Sequence, residues 1–168
     1  MTETIVSLPS ATIRRADRPG DLGWVVQAHG EQYAAEFGWD TSFEALVARI
    51  VADFAESHDP RREAAWIAEV DGGRVGCVFC VATDHETAQL RILLVTPAGR
   101  GRGVGADLVR TCVDFARDAG YSRMTLWTND VLAAARHLYE AAGFTLVDAE
   151  PHHSFGHDLV GQHWSVTL

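Results

Sequence analysis

Residues 90–105 read LRILLVTPAGRGRGVG, and the interpretation of this stretch decides the fold. Its first half, residues 90–95, is an apolar run broken only by Arg91, with the length and branched-residue content of a buried strand. Thr96 and Pro97 end it. Gly101, Gly103 and Gly105 then lead into ADLVRTCVDFARDAG, where Val104, Leu108, Cys112, Phe115 and Ala119 recur at helical spacing. A strand, a glycine turn and a helix in this order turn backbone N–H groups outward at the positive end of a helix dipole, which suits an anion. Arg100 and Arg102 inside the turn favour that reading over a tight connection with incidental glycines, because charge-assisted contacts to phosphate are the strong ones. No G-K-[ST] follows and G-x-G-x-x-G is missing, so the turn is neither a P-loop nor a Rossmann fingerprint.

The 168 residues suit one domain, with residues 1–10 as a flexible leader, large enough to bury roughly 70% of the unfolded surface around one core. Apolar content of 47% beside 22% charged residues places the chain among soluble globular proteins. No apolar run approaches a membrane span, and MTETIVSLPS lacks the basic start and apolar core of a signal peptide, so the expectation is a cytoplasmic protein. A net charge of -9 argues against nucleic acid and mildly favours a cationic ligand. Cys77 and Cys80 fall in a predicted strand, where side chains alternate faces, so they cannot clasp one metal and read as core residues.

Outward from the central stretch, residues 11–15 form a short first strand. A first helix over residues 22–37 has Asp21 as N-cap and an apolar face of Leu22, Val25, Val26, His29, Tyr33 and Phe37, ended by Gly38. His29 on that face is either a satisfied core or cleft histidine or a substrate contact. A second helix opens with a capping box, Thr41 and Glu44, and buries Phe43, Leu46, Val47, Ile50, Val51 and Phe54. Residues 64–70 and 74–83 read as strands joined by Asp71-Gly72-Gly73, and a second turn enters the central strand, giving three consecutive antiparallel strands. A fifth strand over residues 121–127 precedes a helix over residues 131–142 capped by Asn129 or Asp130. Residues 144–148 and 162–167 are the last two strands, separated by EPHHSFGHDLVG, longer and richer in histidine than a hairpin loop needs.

The run Arg100-Gly101-Arg102-Gly103-Val104-Gly105 resembles the coenzyme A loop, R/Q-x-x-G-x-G/A, of the GNAT (GCN5-related N-acetyltransferase) family. NDVLAAARHLYEAAGF, with Asn129, Leu138, Tyr139, Glu140, Gly143 and Phe144, resembles a second motif of that family in the right order. The resemblance implies an α/β fold with a mixed, mostly antiparallel, twisted sheet of about seven strands flanked by four helices. It implies acetyl-CoA as cosubstrate, with residues 100–105 on the pyrophosphate, Leu93 and Val95 aligning the pantetheine through their backbone, Asn129 on the coenzyme arm and Tyr139 as general acid. A homodimer is a further family expectation, and no metal is called for. PHHSFGHDLVGQHW also resembles the tail of GNAT domains fused behind MarR-type DNA-binding domains, although no such DNA-binding portion is read here.

Acetyl transfer to a primary amine of a small molecule or peptide, by direct attack in a ternary complex, requires a neutral nitrogen and a proton for the departing thiolate. The Tyr139 phenol, with a reference pKa of about 10, can protonate a thiolate whose conjugate acid lies near 8.5. The alternative is that Tyr139 is one more residue on the apolar face of its helix, a reading its place in the family motif disfavours. Where several family members carry a glutamate base, this chain has Gln89, which takes no proton, and the alternatives are a water chain or an ionisable group from elsewhere, Glu31, Glu86, His85 or the late histidines. His153 and His157 have ligand-like spacing, but loop spacing does not guarantee convergence. A non-catalytic acyl-CoA sensor would keep the loop without proton-handling residues, and is the alternative to an enzyme.

Overall fold

The computed structural model describes residues 11–168, so the expected leader lies outside the described residues. In chain order the elements are β1 (Thr12–Arg15), α1 (Asp21–Phe37), α2 (Thr41–Ser57), β2 (Ala64–Val70), β3 (Gly73–Ala82), β4 (Thr87–Val95), α3 (Val104–Asp118), β5 (Arg123–Asn129), α4 (Ala133–Ala141), β6 (Thr145–Ser154) and β7 (His157–Thr167). They build a seven-stranded sheet in the order β1-β2-β3-β4-β5-β7-β6, antiparallel except between β4 and β5. This is the mixed sheet with four helices that the resemblance implies.

Each sheet face has its own core. Val25 of α1 and Val47, Val51 and Phe54 of α2 pack on Ile67, Cys77, Phe79 and Leu94. On the opposite face Val104, Leu108 and Cys112 of α3 and Tyr139 of α4 meet Trp66, Val78, Cys80 and Leu90. Cys77 and Cys80 therefore lie in different cores, as strand alternation requires.

One irregularity positions everything downstream. Phe79 pairs with Arg91 while Cys77 pairs with Leu94, so Ile92 and Leu93 of β4 stand against Val78 of β3 alone, the two-to-one count of a β-bulge. Ile92 sits there at φ 44°, where a β-branched residue is a genuine outlier. The parallel pairing of β4 with β5 stops at Leu90↔Leu126, although β4 runs on to Val95 and β5 to Asn129. Beyond the bulge the two strands separate.

Several local expectations need correction. Asp21 does not cap α1: Gly20 holds the N-cap position, and the buried Asp21 carboxylate instead accepts from Arg14 at 2.7 and 2.9 Å and from Arg74 at 2.9 Å. The cap of α2 is Asp40, which accepts from the Ser42 backbone at 3.0 Å, and Thr41 and Glu44 form no capping box. Neither Asn129 nor Asp130 caps α4, which begins at Ala133: Asn129 ends β5, and Asp130 turns instead to the Val160 backbone N–H at 3.1 Å. The fifth strand runs two residues later than expected. The histidine-rich stretch is no loop, since β6 and β7 pair continuously to Ser154↔His157 around a two-residue turn. Phe155 at φ 58° and Gly156 at φ 83° are both left-handed, as the tight hairpin turn that matches strand twist demands. Phenylalanine is no turn signal, which is why sequence pattern missed it.

The Asp21 cluster ties α1 to β1 and β3 and gives a test of the fold. Hydrogen bonding from Arg14 holds the Asp21 carboxyl well below the usual carboxylate range. Its contribution is therefore complete above the unfolded carboxylate value near pH 4 and is lost as pH falls toward the folded value. Asp21→Asn strands two arginines beside a neutral group and should lower the unfolding free energy by about 3 kcal/mol in urea titrations at pH 7. A loss below about 1 kcal/mol would mean the cluster behaves as an ordinary surface pair.

Candidate active site

Where β4 and β5 part, two cavities open. The first, about 570 Å³, runs from the glycine turn along the end of β4, lined by Leu93, Val95, Arg100, Gly101, Gly103, Val104 and Gly105, with Leu132 to Ala135 and Leu138 opposite. The second, about 140 Å³, lies under α1 and α2 and is lined by His29, Tyr33, Trp39, Phe43, Gln89, Arg91, Trp127, Asn129, Tyr139 and Phe155 among others. Tyr33, Leu93, Leu132 and Ala135 line both. The cavities meet at the bulge.

The larger cavity has the features an anion needs. Gly101 and Gly103 adopt φ of 75° and 73°, and a β-carbon at either would meet nothing within 4 Å, so the backbone faces open space at the start of α3. Gly105 serves another end. A β-carbon there would stand 2.6 Å from Leu138 Cδ1, so its absence lets α3 and α4 close against one another. Arg100 is paired with Glu36 of α1, and Arg102 donates to the Ala98 carbonyl at 3.3 Å and does not line the cavity. The β4 edge is partly used already, because Gln32 donates to the Val95 carbonyl at 3.0 Å.

The smaller cavity collects the residues expected to carry chemistry, with one relocation. Asn129 and Tyr139 line this cavity and not the larger one, and Asn129 Oδ1 is held 2.8 Å from His152 Nε2. Tyr139 is buried, its ring edge-on to Phe144, and burial pushes its phenol above the ordinary value. Gln89 lines the cavity as the motif offset implies, whereas Glu31, Glu86 and His85 do not. Of the late histidines, His153 and His163 are paired with Asp158 and Asp148 on the exposed hairpin. Sequence reasoning missed Arg91 and the aromatic wall. Trp39 and Phe43 are separated in sequence from Phe155 by the five strands β2 to β6, yet their rings lie 4.8 and 5.1 Å from its ring. No local pattern announces such a contact.

These features can be set beside known proteins. The model of the acetyltransferase (GNAT) family matches residues 25–144. The chain belongs to this family. Among curated relatives, N-acetyltransferase 8 of Homo sapiens is 31% identical over 118 residues, 67% of this chain and 52% of that protein. N-acetylaspartate synthetase of Homo sapiens is 36% identical over 89 residues, 52% of this chain and 30% of that protein. The chain thus spans about half the length, or less, of these relatives. Among solved structures, ribosomal-protein-alanine N-acetyltransferase from Brucella melitensis has a TM-score of 0.75 at 17% identity over 94% of this chain and 99% of that one. Salmonella typhimurium yncA, solved with its cofactor acetyl-CoA, has a TM-score of 0.73 at 20% identity over 95% of this chain and 94% of that one. Both share the GNAT fold.

His29 offers a test of the burial beside the smaller cavity. Nδ1 donates to the Val25 carbonyl at 2.7 Å, Nε2 has no hydrogen-bond partner among the described residues, and burial lowers the imidazole to about 4. An unfolded histidine titrates near 6.5, so between these values the unfolded state binds the extra proton and stability falls as pH falls. Unfolding titrations should show a loss of about 3 kcal/mol from pH 6.5 to 4 attributable to this residue. His29→Gln should flatten that slope; an unchanged slope would place its source elsewhere.

Proposed function

We propose that the chain transfers the acetyl group of acetyl-CoA to a primary amine by direct attack in a ternary complex. The observation that carries this reading is the meeting of the two cavities at the β4 bulge: one has an open glycine turn for phosphate, the other is an aromatic-walled pocket holding the buried Tyr139. The coenzyme supplies an acyl group activated as a thioester. Gly101 and Gly103 receive its pyrophosphate through the start of α3, Arg100 adds charge, and the backbone of Leu93 and Val95 aligns the pantetheine beside the open edge of β4. Arg100 must exchange Glu36 for phosphate, an inexpensive step because exposed ion pairs contribute only about 0 to 1 kcal/mol. Arg102, turned to Ala98, and Asn129, in the acceptor cavity, fit the coenzyme less directly.

The chemistry follows from burial. The neutral amine attacks the carbonyl carbon, the C–N bond forms and the C–S bond breaks. The thiolate takes the Tyr139 proton, and the proton shed by nitrogen returns to the tyrosinate through solvent. A raised phenol would be a poor acid toward an exposed thiolate. A thiolate formed in the same apolar surroundings is raised too, so the transfer stays near balance. Gln89 takes no proton, and among the described residues no carboxylate lines the acceptor cavity. The amine must therefore shed its charge before or on entry, a cost of roughly 4 to 5 kcal/mol for a lysine-like amine at neutral pH. Rates should accordingly rise with pH.

Free-thiol release from acetyl-CoA with a panel of amines tests the reading. Amine-dependent release should fall by about 100-fold or more in Tyr139→Phe. Tight coenzyme binding without release for any amine would favour the sensor instead. By calorimetry Arg100→Ala should weaken coenzyme A binding by about 1 to 3 kcal/mol. Gly103→Val should weaken it further, because it forces a β-branched residue to positive φ and fills the space before α3. Unchanged binding in both variants would remove the phosphate reading.

A further inference from the structure

The acceptor cavity has a charge pattern opposite to that of the chain. Among its lining residues there is no aspartate or glutamate, and Arg91 is the only lysine or arginine. His29, in the same wall, is neutral at pH 7. Arg91 sits on β4 opposite Phe79, on the face covered by α1 and α2. It is half-buried, and among the described residues its guanidinium makes no hydrogen bond or ion pair, feeling only the more distant charge of Asp53 on α2. A partly desolvated cation without a counter-ion is costly, and guanidinium matches a carboxylate through two parallel hydrogen bonds. The rest of the wall is apolar and aromatic: Trp39, Phe43, Leu46, Ile50, Trp127 and Phe155. At about 140 Å³, the cavity compares with one of about 150 Å³ that takes up a benzene-sized group.

We propose that the acceptor is a free α-amino acid with an uncharged, apolar side chain, its carboxylate held by Arg91 and its side chain by the aromatic wall. The proposal rests on the acetyltransferase reading and narrows it to one acceptor class. A peptide amine or a polyamine fits less well. The first presents no carboxylate next to its amine, and the second brings further positive charge to a wall that already carries Arg91 and offers no carboxylate. The chain's net charge of -9 therefore says nothing about the acceptor, because its carboxylates lie outside this cavity.

The test compares L-phenylalanine and L-leucine with their carboxamides and with spermidine as acceptors for the full chain, by thiol release. The carboxamides keep the α-amine and side chain and lose only the negative charge. Their amines also give up a proton more readily, so a preference for the acids cannot come from amine basicity. Wild type should favour the acids at least tenfold in kcat/KM, chiefly through KM. Arg91→Gln should abolish that ratio, and Arg91→Lys should keep part of it. Trp39 and Trp127 line the cavity, so tryptophan fluorescence in the presence of coenzyme A follows the same discrimination without turnover. If thiol is released only with other primary amines, the acceptor class is wrong and the acetyltransferase reading stands; if no amine of any class releases thiol, both fall. Equal or better use of the carboxamides or spermidine, or an acid-to-carboxamide ratio unmoved by Arg91→Gln, overturns it.

Discussion

The positive φ of Ile92 is the constraint on which both cavities depend. A β-branched residue in that region costs on the order of 1 to 3 kcal/mol and persists only where its surroundings over-determine it. Here the surroundings are visible. Cys77 Sγ donates to the Ile92 carbonyl at 3.4 Å, Leu94 resumes pairing with Cys77, and Leu94 is anchored in the core under α2. The extra residue swings the end of β4 away from β5, leaving the backbone of Leu93 to Val95 facing a gap. A regular β4 would continue its ladder with β5, and the two cavities would close together.

Charge is partitioned locally against the average of the chain. The acidic excess is spread over the surface, whereas Arg100 stands at one end of the β4 cleft and Arg91 in the pocket at the other. The two arginines differ in how they are held. Arg100 has an exchangeable carboxylate partner in Glu36, which keeps it ordered at little cost to anion binding. Among the described residues Arg91 has none within hydrogen-bonding reach, and only the charge of Asp53 offsets its desolvation.

The glycine-turn half of the cleft was legible in the sequence because it is local. Strand, turn and helix occupy residues 87–118 without interruption, and each step has a residue signal: the apolar run, Pro97, the glycines and the 3.6-residue periodicity. The opposite placement of Cys77 and Cys80 followed from strand alternation alone. Helix caps were less legible, since an aspartate beside a helix start can serve an ion pair instead, as Asp21 does with Arg14 and Arg74. The bulge carries no signal at all. Nothing in LRILLV marks Ile92 as the residue that leaves the ladder, because the cause lies in its fit to β3.

In the smaller cavity His29, Gln89, Asn129 and Tyr139 were legible one by one, but the wall that closes it was not, and its construction explains why. Its roof is the tip of the β6–β7 hairpin, whose strand pairs continue until only Phe155 and Gly156 remain to turn the chain. A phenylalanine at φ 58° is strained in isolation, but packing of its ring on Trp39 and Phe43 offsets that strain. The Asp40 backbone N–H donates to the Phe155 carbonyl at 3.2 Å, and His157 Nε2 donates to the Gly38 carbonyl at 3.0 Å, which fixes the tip on the α1–α2 corner. The pocket is thus closed by contacts between segments more than a hundred residues apart. Substitution in the hairpin or the corner can therefore reshape this pocket without touching the glycine turn, so the two cavities can vary independently on the same scaffold.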